Sequence, residues 1–239
     1  MRSARLLAIA VAAAALVMLV ASGPGTRLGL WPWQTGFSLL RWAAYTGFVS
    51  GAAGVILLAL AAVPRWRPLG FTLPLLAVAL SAAAFGPPLY FVGQAKKVPP
   101  IHDITTDVEH PPQFVALLPE RRKSPNGFEY GGPAIAEQQK KAYPDIVSKQ
   151  LALQPTDAIN HAVEAAKSLG WRIVETDGIA GRIEATATTS WFGFEDDIVV
   201  RIQPFAHGSR LDVRSASRVG RSDLGTNARR IREFLAKLA

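Results

Sequence analysis

The chain has no cysteine, and its first 95 residues contain no aspartate or glutamate. The first absence excludes a disulfide framework, thiol catalysis and cysteine-ligated zinc, although it leaves the compartment open. The second absence sorts the charge. Six arginines (Arg2, Arg5, Arg27, Arg41, Arg65, Arg67) stand unopposed in 1–95 and supply most of the net charge of +8. The other 20 of the 26 basic residues share 96–239 with all 18 acids, a net of only +2. The basicity therefore reports arginines flanking apolar segments rather than a surface made for phosphates, and nucleic acid is not an expected partner. No cofactor motif is present, and no cofactor is expected.

What the first 95 residues do have is long apolar runs. A membrane span needs roughly 20 apolar residues to cross a hydrocarbon core ~30 Å thick. Three stretches qualify: 6–22, 37–63 and 69–92. Trp31, Trp33, Trp42 and Tyr45 mark one interface and Trp66 the other, because amphipathic rings settle at headgroup level. In the second stretch Gly47/Gly51 and Ser50/Gly54 are small-xxx-small pairs, read as close packing against a neighbouring helix of the same chain. Pro74 and Gly86-Pro87-Pro88 interrupt the third, which predicts a kink or an early end near Phe85. No ionisable residue lies deep in a span, which argues against a channel, pump or proton relay.

The stretch 6–22 also fits a signal peptide, with a basic start and small residues at its end. Three spans with the N-terminus inside, or two spans after a cleaved signal, both put the C-terminal domain outside the cytoplasm. The expected location is the plasma (inner) membrane of a cell envelope, multi-pass, with a periplasmic C-terminal domain. The chain thus divides into a membrane region, 1–95, an extended Pro/Gly-rich linker, 96–150, and a soluble α+β domain, 151–239.

The linker shows no sustained period. His102, Asp103, Asp107, Glu109 and His110 are potential metal ligands within it, but their spacing matches no defined site, and a solvated polar segment is the simpler reading. Beyond it, Pro155 opens a helix whose stripe is Ile159, Ala162, Val163, Ala166 and Leu169, and Gly170 ends it. Strand-like runs follow at 171–176, 182–191, 196–203 and 209–217. A last helix, about 223–238, is expected to be capped by Ser222, with Leu224, Ile231, Leu235 and Leu238 inward. The order α-β-β-β-β-α predicts one antiparallel four-stranded sheet with helices packed on one face.

If Phe192-Gly193 is a two-residue turn, Ile183, Ala185 and Ala187 oppose Ile202, Val200 and Ile198, so the apolar sets share a face. The other face then carries Glu184, Arg201 and Asp212, expected to be a solvated row. With Val200 opposite Val213, Glu195, Asp196 and Asp197 come beside Ser217 and Arg218, near Trp191, Arg221, Ser222 and Asp223. This end is the candidate binding cluster. It is also what an ion-pair network locking strand to helix requires, and since no His or Cys joins it, no catalytic residue is assigned. His161 is read as exposed, and His207 lies at the opposite end.

Several of these residues carry a resemblance. Phe194-Glu195-Asp196-Asp197, Val213-Arg214-Ser215-Ala216-Ser217-Arg218-Val219-Gly220, Ser222-Asp223-Leu224-Gly225, Asn227 and Arg230-Ile231 resemble the signature of the bacterial domain of unknown function 1499. The resemblance covers roughly 119–239, and Ile101-His102-Asp103-Ile104-Thr105-Thr106-Asp107 is similar to one subgroup. Many members carry Pro-Asn-Cys where this chain has Pro125-Asn126-Gly127, so any role of that cysteine is absent. The resemblance implies a membrane-anchored or secreted envelope protein and no activity.

Three functions are compatible with this reading. The favoured one is a non-catalytic binding or assembly module whose partner is an envelope protein, a lipid headgroup or a glycan, held at the lipid bilayer. The alternatives are a metal-assisted hydrolase joining the acids to His102 or His110, and a purely structural membrane scaffold.

Overall fold

The computed structural model describes residues 2–65 and 70–238. Trp66 and the start of the expected third span at Leu69 lie outside the described residues. The chain forms two compact units: Met1–Gln94 with Ser190–Gly193, and Ala95–Thr189 with Phe194–Ala239.

The first unit contains α1 (Arg2–Arg27), α2 (Trp33–Ala62) and α3 (Thr72–Ala95). Their 26, 30 and 24 residues correspond to about 39, 45 and 36 Å at ~1.5 Å per residue, enough for a ~30 Å core. All three are long and apolar enough to cross a membrane. Large apolar side chains such as Leu7, Val17, Phe48, Ile56 and Leu75 point outward, while small residues turn inward: Ala8, Ala12 and Ala15 on α1, and Gly47, Gly51 and Gly54 on α2. A Cβ at Gly47 would stand 3.1 Å from Ala84 Cβ, and one at Gly54 would stand 2.8 Å from Val78 Cγ2. The glycines thus let α3 close on α2, which bears out the intramolecular reading of the small-residue pairs. Ser50 Oγ donates to the Ala8 carbonyl at 2.7 Å, joining α2 to α1.

The early end considered near Phe85 does not occur: α3 runs on through Pro87 and Pro88 to Ala95. Neighbouring groups in a bundle let a spanning helix tolerate the donor that Pro removes, and Ser81 and Ala84 pack against α2.

In the second unit the sheet has six strands, not the four expected. They are β1 (Asp103–Thr105), β2 (Lys149–Leu151), β3 (Arg172–Asp177), β4 (Arg182–Thr188), β5 (Glu195–Phe205) and β6 (Gly208–Ser217). All pair antiparallel in the order β1-β6-β5-β4-β3, with β2 sharing the β6 edge with β1. The extra strands, with α4 (Leu118–Lys123) and α5 (Gly132–Ala142), come from 96–150, where composition predicts only an extended linker. Three-residue strands carry no readable period, so only the exposed β6 edge reveals them.

β5 and β6 pair as expected, Val200 opposite Val213 and Arg201 opposite Asp212. β4 and β5 are offset by two residues from expectation: Ile183 meets Val200 and Ala185 meets Ile198. The reason is loop length. Thr189 N–H bonds the Phe194 carbonyl at 2.8 Å, so Ser190–Gly193 is a four-residue loop instead of a two-residue turn. A shift of two preserves the alternation, and every side chain keeps its expected face.

One face packs under α6 (Pro155–Ser168) and α7 (Thr226–Lys237). Ile183, Ile198, Val200, Leu211 and Val213 meet Ala158, Ala162, Ala166, Ile231 and Phe234, and Trp171 stacks on Phe234 at 4.9 Å. Gly170, at φ +75°, turns the chain from α6 into β3, a conformation that favours glycine. The last helix begins three residues later than expected, and Asp223 caps it in place of Ser222. The Asp223 carboxylate accepts from Gly225 N–H at 2.8 Å and Asn227 N–H at 2.7 Å. Leu224, expected inward, is 40% exposed, because it precedes the first helical turn.

The opposite face is not solvated. Phe114 and Leu117 lie on Val199 and Ala216, and Glu184 and Asp212 are each 0% exposed. The segment 106–130 covers them, a non-local arrangement that the strand pattern alone does not contain.

Candidate functional site

Strand alternation sends neighbouring acids of β5 to opposite faces. Asp197 turns toward the covering segment. Its carboxylate accepts from Arg218 Nε at 2.9 Å, Arg218 Nη2 at 2.8 Å and Thr186 Oγ1 at 3.0 Å, with Arg121 Nη1 at 3.7 Å. Arg218 also pairs with Glu195. The hydrogen bonds from Arg218 to Asp197 raise the guanidinium pKa further, whereas burial lowers that of Arg121.

Asp196 turns toward α7 and accepts from Arg230 Nη2 at 2.6 Å. Arg230 continues to Ser215 Oγ at 3.1 Å and to the Asn227 side-chain carbonyl. Ser215 Oγ donates to Asn227 Oδ1 at 2.7 Å, and Asn227 Nδ2 donates to Ser217 Oγ at 3.0 Å and the His102 carbonyl at 2.9 Å. Burial pushes the Asp223 carboxyl above its ordinary value, against the two N–H groups that it accepts. Five buried polar side chains therefore satisfy one another where β6 meets α7.

The charged face has three further anchors. Arg214, 0% exposed, grips Asp103 through Nε at 3.0 Å and Nη2 at 2.7 Å, and donates to the Pro112 and Phe128 carbonyls at 3.2 and 2.8 Å. The Glu184 carboxylate accepts the N–H groups of Val115, Ala116 and Leu117 at 2.8, 3.0 and 2.9 Å, where the chain enters α4. Arg201 bonds Asp107 at 3.0 Å and Asp212 at 2.8 Å. Burial raises the Asp107 pKa, but the His110 and Glu109 N–H groups and Arg201 outweigh it, leaving the carboxyl below the ordinary range.

The sequence-predicted cluster is thus partly assembled. Glu195, Asp197 and Arg218 pair on one face of the sheet, while Asp196 and Ser217 join the α7 network on the other. Asp223 is spent on the α7 N-terminus. Arg221 is exposed, and among the described residues its side chain has no hydrogen bond or ion pair. Trp191, 45% exposed, belongs to the Ser190–Gly193 loop, which clusters with the first unit.

The potential metal ligands do not converge. Asp103 holds Arg214, Asp107 holds Arg201 and Arg210, and the His102 ring lies 3.4 Å from the Arg221 carbonyl. Among the described residues, no group of three or more His, Cys, Asp or Glu side chains could hold a metal ion. The open concavities lie elsewhere. One of about 640 Å³ is walled by Val108, Pro111, Tyr130, Pro133 and Ala136, and a polar one of about 170 Å³ lies beside Thr188, Thr226, Arg229 and Arg230.

Sequence reasoning missed Arg121, Arg214, Asn227 and Arg230 as network members. Part of the signal was present: period two puts Arg214 and Arg218 on the face of Asp212, and Asn227, Arg230 and Ile231 share one side of a helix. Asn126 was noted only for the missing cysteine beside it. Its side chain donates to the Ser217 and Gly220 carbonyls at 3.0 and 2.9 Å, stapling the covering segment to the end of β6.

These features define a class: an α+β unit, carried behind three helices fit to cross a membrane, whose charged signature residues fasten both coverings of its sheet. Residues 103–238 match the model of the family described as protein of unknown function (DUF1499), and the chain belongs to that family. The match begins at Asp103, the partner of Arg214. No curated protein matches the chain.

Proposed function

We propose that this protein is a multi-pass anchor of the plasma (inner) membrane whose periplasmic α+β unit is a non-catalytic binding or assembly module. The observation that carries this reading is the closure of the acid and arginine cluster. Glu195, Asp196 and Asp197 each face a guanidinium, at 2.6 Å for Asp196–Arg230 and 2.8 Å for Asp197–Arg218, and the cluster contains no histidine or cysteine. Carboxylates held this way serve cohesion, since a general base needs a carboxylate free to take a proton. Recognition then falls to the exposed member of the same end, Arg221.

A photo-crosslinking residue at position 221 of the full chain, activated in native membranes, tests this. A recurrent adduct is expected, insensitive to chelator and absent when the probe replaces the exposed Lys167 on α6. Stoichiometric divalent metal in the purified chain would instead favour the hydrolase. Equal labelling at both positions would leave only the scaffold.

A further inference from the structure

Five arginines of the sheet are consumed internally: Arg182, Arg201, Arg210, Arg214 and Arg218 each have a carboxylate within 3.0 Å. Lys96, Lys97, Arg122, Lys123 and Arg221 are exposed, and among the described residues none of them has an ion pair. Arg122 lies over the Phe128 ring at 5.6 Å, an arrangement that leaves its charge uncompensated.

These five residues are dispersed in sequence, and backbone bonding gathers them. Asn126 N–H bonds the Arg218 carbonyl at 3.2 Å and its side chain bonds the Gly220 carbonyl at 2.9 Å, which brings the end of α4 beside 218–221. His102 Nδ1 lies 3.4 Å from the Arg221 carbonyl, and Asp223 N–H bonds the Ile101 carbonyl at 3.2 Å, which brings 96–102 to the same place. Across 96–102, 118–127 and 218–225 the acids are Glu120 and Asp223, against seven lysines and arginines, and the Asp223 carboxylate is turned onto the N–H groups of Gly225 and Asn227. One end of the unit therefore presents a net positive charge.

We infer that this basic end docks on anionic phospholipid headgroups of the bilayer that holds the three helices. The inference rests on the proposed binding module and names its partner. Lys96 and Lys97 follow directly on Ala95, the end of α3, where a spanning helix passes from hydrocarbon to headgroups. From Lys97 to His102 the chain extends at most ~20 Å, so a headgroup layer met by Lys96 lies within reach of the whole end. The geometry suits a charged plane better than a single anion, because the charges are spread over three segments, and the two concavities described above are lined by other residues. Each lysine or arginine near such a surface strengthens attraction about fivefold.

The test is amide hydrogen exchange of the full chain in nanodiscs of phosphatidylcholine alone or with about a third phosphatidylglycerol. In anionic discs exchange in 96–102, 122–127 and 218–225 is expected to slow about fivefold or more. High salt, or the variant Arg122→Gln/Lys123→Gln/Arg221→Gln, is expected to abolish that slowing, while unchanged protection of β5 and β6 shows that the variant is folded. Equal exchange in the two discs would overturn the inference, as would slowing that survives the triple substitution. Inorganic phosphate reproducing the effect in phosphatidylcholine discs would overturn the lipid as its source. Lipid-independent exchange together with a protein adduct at position 221 would sink the lipid partner and leave the binding module standing.

Discussion

On one face of the sheet Ile183, Ala185, Ile198, Val200 and Val213 meet α6 and α7; on the other Glu184, Asp197, Asp212 and Arg214 lie equally buried beneath 106–130. The same strands supply both sets by alternation. The apolar face gains from any apolar cover, since the hydrophobic effect has no direction. The charged face is stable only if each ion finds its particular partner, because an unpaired buried charge costs several kcal/mol. The helix face is held by packing, while the covering segment is held by a few specific bonds.

The largest expected effect is on the packed face. Phe234→Ala, which removes a side chain 0% exposed and stacked on Trp171, should cost about 3–5 kcal/mol, seen as earlier thermal unfolding of the full chain in detergent. On the charged face Asp103→Ala should cost about as much, roughly 3–5 kcal/mol, by stranding Arg214. The double variant Asp103→Leu/Arg214→Leu should recover most of that loss. A double variant no better than the single would show that the two faces do not differ in this way.

Glu184→Gln should cost about 1–3 kcal/mol, through donors left poorly satisfied. Its mark is local: exchange at 113–118 should accelerate while β5 and β6 stay protected. The two faces also divide by pH. Asp107 has a depressed folded pKa, so its contribution is present above the unfolded value near 3.8 and is lost as pH falls through the lower folded value. Asp223, raised by burial, works in the opposite sense and costs stability as pH rises from 3.8 through its folded value. Asp107→Asn should therefore flatten the acid limb of stability, and Asp223→Asn should not. The smallest effect belongs to the surface: Asp145→Ala, which breaks the exposed pair with Arg232 at 2.6 Å, should cost at most about 1 kcal/mol.

The sheet faces were legible because the period of two survives an error in loop length: a two-residue offset between β4 and β5 moved no side chain across the sheet. The β5/β6 register was fully legible, since Pro204 to Gly208 admits a tight turn, and it correctly brought Asp197 to Arg218. The cover over Glu184 and Asp212 was not legible. A row of charges on a strand looks the same whether water or another segment pairs with it, and the segment in question lies some 70 residues upstream of Glu184. Of the candidate cluster, Glu195 and Asp197 pair with Arg218, and Asp196 pairs with Arg230. Its openness depended on where α4 and α7 come to rest.

Composition and periodicity by themselves determined the three apolar helices, the small-residue seam of α2 and the strand faces, because each is written locally in residue type and spacing. Tertiary structure alone decided that the charged face is an interior, that the Asp223 carboxylate rather than Ser222 bonds the first turn of α7, and that Lys96, Arg122 and Arg221 share one end. Those outcomes depend on contacts between residues far apart in the chain, and the energy of an ion is set by what surrounds it after folding.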